Sequence, residues 1–245
     1  MNKLIRSELF RFTHSGSNMK LGIFTAVIII IMSFLVNYQY IDKTLCENLL
    51  SGESGFVMMV IMIFVPLGTV ATTVFAYTNK SAYYEIMSGS GTNNILCSKL
   101  IVDGGLIWIA TQISVSVYFV VVSVKNGIGE GIDNLGVRYL LMTIVILRVV
   151  MSSVLIVTAL KSFIAGLVAY IRFMFVDMMT GVLLTSVTEF ADSAWSNLFI
   201  NFQLTNIFVG EIETGLVLNI VLGALIEVAM WYIISYVGMK KKMFN

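Results

Sequence analysis

Four ionisable side chains lie inside long apolar runs of this sequence: Arg148, Arg172, Asp177 and Glu227. At the centre of a lipid-exposed helix each costs roughly 2.5 to 3.5 kcal/mol on insertion scales, so each is expected to face protein or water. Counting about 1.5 Å per residue from the cytoplasmic ends assigned below puts Arg172 and Glu227 near a depth of about 15 Å, Arg148 near about 18 Å and Asp177 near about 21 Å. Level partners of opposite sign predict two interhelical ion pairs, Arg172 with Glu227 and Arg148 with Asp177. Arg172 and Asp177 are five residues apart, roughly 140° around an α-helix, and are not expected to pair with each other. The alternative chemistry is a charged lining for a substrate path. Bracing between helices is the preferred reading, because two matched pairs neutralise one another without a ligand.

Other chemistries find no residues. An intramembrane enzyme needs paired aspartates at depth, a serine–histidine pair or zinc ligands. The one histidine, His14, lies in a basic N-terminal segment, Asp177 is the one aspartate within a span, and no His-Glu-x-x-His occurs. No catalytic or metal-ligating residue is therefore assigned. The run Ser88-Gly89-Ser90-Gly91-Thr92 is not a phosphate loop, since no Gly-Lys-Ser/Thr closes it and no βαβ context surrounds it. An ion-coupled carrier with a proton on Asp177 or Glu227 stands as the alternative, and the lack of a repeat between the two halves argues against it.

The elements that hold these residues are set by composition. Of 245 residues, 58% are hydrophobic and 12% charged, with a mean hydropathy of +0.92; a soluble domain carries about a quarter charged. Runs long enough to cross about 30 Å of hydrocarbon occur six times: Leu21 to Tyr40, Phe56 to Tyr77, Gly104 to Val124, Tyr139 to Leu160, Phe163 to Val187 and Gly215 to Val237. They are continuous and do not alternate, so they predict helices and not barrel strands. Pro66, the single proline, is expected to kink the second. Leu160-Lys161-Ser162 joins the fourth and fifth as a tight antiparallel hairpin. The fold expected is an all-α integral membrane protein, one transmembrane domain over 1–245 with six helices.

Orientation follows from the basic residues. With the N-terminus in the cytoplasm, Lys3, Arg6, Arg11, Lys20, Lys80, Lys99, Lys161 and Lys240 to Lys242 lie inside, and Lys43, Lys125 and Arg138 lie outside. That bias predicts that both termini are cytoplasmic. Cys46 and Cys97 then fall on opposite sides, which excludes a disulfide between them. Net charge is +1, so nucleic acid is not an expected partner. No small-residue cleavage site follows the first basic segment, and the N-terminus is expected to be retained.

Three segments outside the spans carry signals. Residues 1–18 interleave Leu4, Ile5, Leu9, Phe10 and Phe12 with Lys3, Arg6 and Arg11, the pattern of an interfacial helix whose apolar side chains sit among acyl chains. Residues 78–103 read as a helix, a turn at Gly89 to Thr92, and a second helix entering the bilayer. Residues 188–214 have four acids and no base, and Trp195, Leu198, Phe199 and Phe202 follow helical spacing. That spacing suits a short helix lying in the outer interface or dipping back into it.

The basic segment Leu4-Ile5-Arg6-Ser7-Glu8-Leu9, six spans, Glu85 with Ser88-Gly89-Ser90 and Ser98-Lys99-Leu100 in the first cytoplasmic loop, and the Leu160-Lys161-Ser162 hairpin together resemble the permease subunits of ATP-binding-cassette type-2 exporters. The resemblance covers the chain in architecture and includes bacterial members that export peptides or protect against peptide antibiotics. It implies a bacterial cytoplasmic membrane protein, a second permease copy or paralogue, and two separate ATPase subunits that hold ATP and magnesium, of which this chain holds neither. It further implies that Tyr84, Glu85, Ser88, Gly89, Ser90, Gly91, Thr92 and Lys99 form a coupling element against the ATPase, with the glycines giving the segment its shape. Trp195, Leu198, Phe199 and Phe202 would belong to an outer gate. A hydrophobic or amphipathic peptide, or an antibiotic, is the implied cargo.

Overall fold

The computed structural model describes residues 2–14, 16–37, 42–50, 60–74, 90–160, 162, 164–177, 179–180, 183, 198–209 and 211–243. Among them every regular element is helical. In chain order these are α1 (Asn2–His14), α2 (Ser17–Asn37), α3 (Leu45–Leu50), α4 (60–74), α5 (Thr92–Asn126), α6 (Leu135–Leu160), α7 (164–177), α8 (Ile200–Val209) and α9 (Thr214–Met243).

Three of these, α5, α6 and the Thr214–Lys240 part of α9, are long and apolar enough to cross a membrane. They are the helices of a membrane-embedded protein. In the most apolar stretch of α6, 72% of residues are buried, against 17% in α9, so α6 forms the centre and α9 flanks it. Val145, Ile146, Val149, Val150 and Val154 of α6 are fully enclosed. Leu218, Leu225, Ile226 and Ile233 of α9 point outward, where lipid tails are as apolar a neighbour as protein.

The first helix of the 78–103 segment, with Tyr84, Glu85, Ser88 and Gly89, lies outside the described residues. The second is one continuous rod with the third span: α5 starts after an extended Gly91 and runs to Asn126. Gly91 has φ −63° and a Cβ there would meet nothing within 4 Å. Any residue adopts that conformation, so the expectation that glycine shapes this turn is corrected at Gly91.

Among the described residues, four π-helical turns interrupt the α-helices, at Val60–Phe64, Val70–Val74, Leu100–Gly104 and Arg172–Val176. The first two bracket Val65–Thr69, which carries Pro66 near its N-terminus. A ring that lacks an N–H costs least where the backbone pairing is already shifted. Across from this stretch, α7 approaches so closely that a Cβ on Gly166 would lie 2.0 Å from Val70 Cγ2.

On the side where α2 ends, α3 is closed by a capping box: the Thr44 amide donates to Glu47 Oε2 at 2.8 Å and the Glu47 amide to Thr44 Oγ1 at 3.4 Å. The loop after α5 covers it, with the Leu45 and Cys46 amides donating to the Gly127 and Ile128 carbonyls at 3.1 and 2.9 Å. Cys46 and Cys97 are both free thiols.

Candidate functional site

The four in-span charges converge where α6, α7 and α9 meet. Arg148 of α6 donates through Nε to Glu227 Oε2 of α9 at 2.6 Å, and its Nη2 lies 2.6 Å from the same oxygen. Arg172 of α7 donates to the other carboxylate oxygen of Glu227 at 3.4 Å and to Asp177 Oδ1 at 3.5 Å. Arg148 and Glu227 are each 5% exposed, Asp177 is buried, and Arg172 is 26% exposed. The tight bonds are thus on Arg148, and the long ones on the more accessible Arg172.

The expected Arg172–Glu227 pair is present, and the expected Arg148–Asp177 pair is corrected: Arg148 shares Glu227 with Arg172, and Asp177 pairs with Arg172 within one helix. The reason is the π turn at Arg172–Val176, where the Asp177 amide donates to the Arg172 carbonyl five residues back. An i→i+5 repeat brings residues five apart onto one face, which the α-helical repeat would separate.

A small residue makes the meeting possible. Gly223 stands one turn before Glu227 on α9, and a Cβ there would lie 2.9 Å from Arg148 Nη1 and 3.1 Å from Gln203 Nε2. The guanidinium occupies the space that any larger side chain at 223 would take.

Arg148 also reaches α8. Its Nη1 donates to the Leu198 carbonyl at 2.9 Å and to Gln203 Oε1 at 3.1 Å. Ten residues earlier on α6, Arg138 donates to the Ile207 and Phe208 carbonyls at 2.6 and 3.3 Å. A cation there satisfies the orphan carbonyls at the C-terminus of α8 and opposes its dipole. The two arginines fix α8 antiparallel to α6 over about 15 Å, from near the start of α6 to its midpoint.

The aromatic stripe is not what packs α8. Ile200, Gln203, Leu204, Ile207 and Phe208 are its buried face. Leu198, Phe199 and Phe202 are half-buried, and Trp195 lies outside the described residues.

A second ionic cluster escaped sequence reasoning. Lys99 of α5 donates to Glu8 Oε1 of α1 at 2.6 Å, and both are buried. Arg11 pairs with Glu8 and donates to Asp103 at 3.1 and 3.3 Å. Thr73 of α4 donates to Asp103 Oδ2 at 3.0 Å. Two cations and two anions cancel across α1, α4 and α5. Thr73 and Asp103 lie in π turns, as Arg172 does in the first cluster; such turns re-aim side chains and recur where a buried polar group must be met.

No protein-family model, curated protein or solved structure matches this chain.

Lys99 therefore takes a place different from the one the resemblance implies. It is 1% exposed and bound inward to Glu8, so its ammonium is not presented to a partner, whereas Gly91, Asn93 and Asn94 of the same turn are exposed. The available signal was Glu8 with Arg11 and Lys99 with Asp103, pairs at helical spacings of three and four in an apolar chain. Such spacing tells that two side chains share a face, not which way the face looks. No group of three or more potential metal ligands forms among the described residues.

Proposed function

We propose that this chain is the transmembrane permease subunit of an ATP-driven exporter, with six spans and both termini in the cytoplasm of a bacterial cell. Two ATPase subunits carrying ATP and magnesium would bind the face that holds residues 84–94. A second permease, identical or paralogous, would complete the path for a hydrophobic or amphipathic peptide or an antibiotic.

The observation that carries this reading is that α5 continues as one helical run through its π turn at Leu100–Gly104. Its exposed N-terminal turn, Gly91 to Asn94, is the head of a single helix that ends at Asn126, and Lys99 and Asp103 tie that head to α1 and α4. A push delivered at the turn would move three elements together, as a coupling element requires. The clamp of Arg148 on α8 supplies the complementary part, a half-length helix held from the core. The carrier alternative gains less support, because each of its candidate proton sites, Asp177 and Glu227, already faces an arginine.

The test is co-purification of the tagged chain in mild detergent, followed by transport in vesicles. The expected result is an associated ATPase subunit and transport that stops without ATP. Transport sustained by a proton gradient with no ATPase bound would refute the proposal. Topology is tested separately by a cysteine at Ser90 in a background lacking Cys46 and Cys97. It should react with a membrane-impermeant maleimide only after the cells are opened.

A further inference from the structure

The two faces of α1 carry different charges. Leu4, Ile5, Glu8, Arg11 and Phe12 turn inward, and Glu8 is fully buried. Lys3, Arg6, Phe10 and His14 turn outward. Glu8 is the one acid in the helix, so its burial leaves an outer arc bearing two exposed cations and no carboxylate. The sequence average of this segment hides that asymmetry.

Between the cations stand exposed apolar side chains, Leu9 at 43% and Phe10 at 63%. Beyond the end of α1 the same kind of surface continues on α2, where Met19, Ile23, Val27 and Ile30 are all exposed. A protein partner would meet an isolated patch. Here the patch continues into the exposed apolar side of α2, and cations beside an apolar surface of this kind sit at headgroup level when it meets a bilayer.

We infer that the outer face of α1 is a docking surface for anionic phospholipid headgroups, recognised by Lys3 and Arg6, with Leu9 and Phe10 in the adjoining acyl layer. The buried ionic cluster gives this contact a route inward. Glu8 and Arg11, on the opposite face of the same rigid helix, hold Lys99 and Asp103 of α5, so headgroup binding also fixes the helix that carries the exposed turn. The inference stands independently of any ATPase.

The experiment uses the purified full chain in phosphatidylcholine vesicles containing trace spin-labelled phosphatidylglycerol or spin-labelled phosphatidylcholine. The immobilised fraction in the electron spin resonance spectrum gives the relative association of each lipid. At low salt the anionic lipid should be preferred by up to roughly thirtyfold, the upper scale set by two basic side chains, and salt should weaken the preference. The double variant K3Q/R6Q should fall towards parity, while K3R/R6K should retain the preference and so report a folded chain. Equal association of both lipids with the wild type would overturn the inference and leave the face to a protein partner. An undiminished preference in K3Q/R6Q would also overturn it, placing the headgroups at another basic cluster such as Lys240 to Lys242.

Discussion

Arg148 Nη2 and Glu227 Oε2 lie 2.6 Å apart between α6 and α9, with each side chain 5% exposed. Removing one partner strands a buried charge, at a cost of about 3 to 5 kcal/mol, whereas replacing both with apolar groups of similar volume is often neutral. Arg148→Met and Glu227→Leu should each lower the level of folded protein sharply, and the double substitution should restore much of it. Thermal stability in detergent measures this, and additive losses would show that the two residues act separately.

Gly223 should matter mainly because of Arg148, with Gln203 Nε2 the next atom in the way at 3.1 Å. A Cβ 2.9 Å from Nη1 forces the guanidinium aside, and overpacking of this kind costs about 1 to 3 kcal/mol. Gly223→Ala should therefore destabilise the wild type and have little effect in an Arg148→Met background. Equal effects in both backgrounds would contradict the contact.

Arg172 and Asp177 should contribute less than Arg148 and Glu227. Their bond is 3.5 Å long, and the arginine is 26% exposed, so access to surrounding polar groups offsets its loss. Asp177→Asn is expected to lose less stability than Glu227→Gln by the same melting assay. The reverse order would mean that the π turn, not α9, holds the cluster together.

Lys99 offers a direct distinction between an inward tie and an outward grip. The exchange Glu8→Lys with Lys99→Glu keeps opposite charges at that contact. Protein level should recover relative to either single change, and transport should recover with it. Recovery of level without recovery of transport would indicate that the ammonium itself meets another subunit.

Glu47 gives the chain a local acid sensitivity outside the spans. Hydrogen bonds from the Thr44 hydroxyl and amide hold its carboxyl below the ordinary value of 4.5. A lowered value in the folded state means that the cap contributes fully above 4.5 and is lost as pH falls through the lower folded value. Amide exchange at Leu45 to Asn48, corrected for the intrinsic rate, should stay constant from about pH 7 to about pH 5 and rise below that range. Glu47→Gln should raise it at neutral pH.

Hydropathy alone made legible what depends on totals and runs. Apolar stretches of span length required helices, and α5, α6 and α9 stand where such stretches occur, because in hydrocarbon the backbone must satisfy its own hydrogen bonds. The same logic marked Arg148, Arg172, Asp177 and Glu227, since a charge in an apolar run must find company.

Which company each finds was decided by tertiary structure. The α-helical repeat placed Arg172 and Asp177 on different faces, and one π turn brought them together. Gly223 was an unremarked glycine until a guanidinium from another helix filled its place. Glu8, Arg11, Lys99 and Asp103 looked like loop and interface charges, because hydropathy reports how many charges a segment has and not which way each points. Pairing across helices depends on rotation and close approach, and those are set by packing between residues up to 139 positions apart.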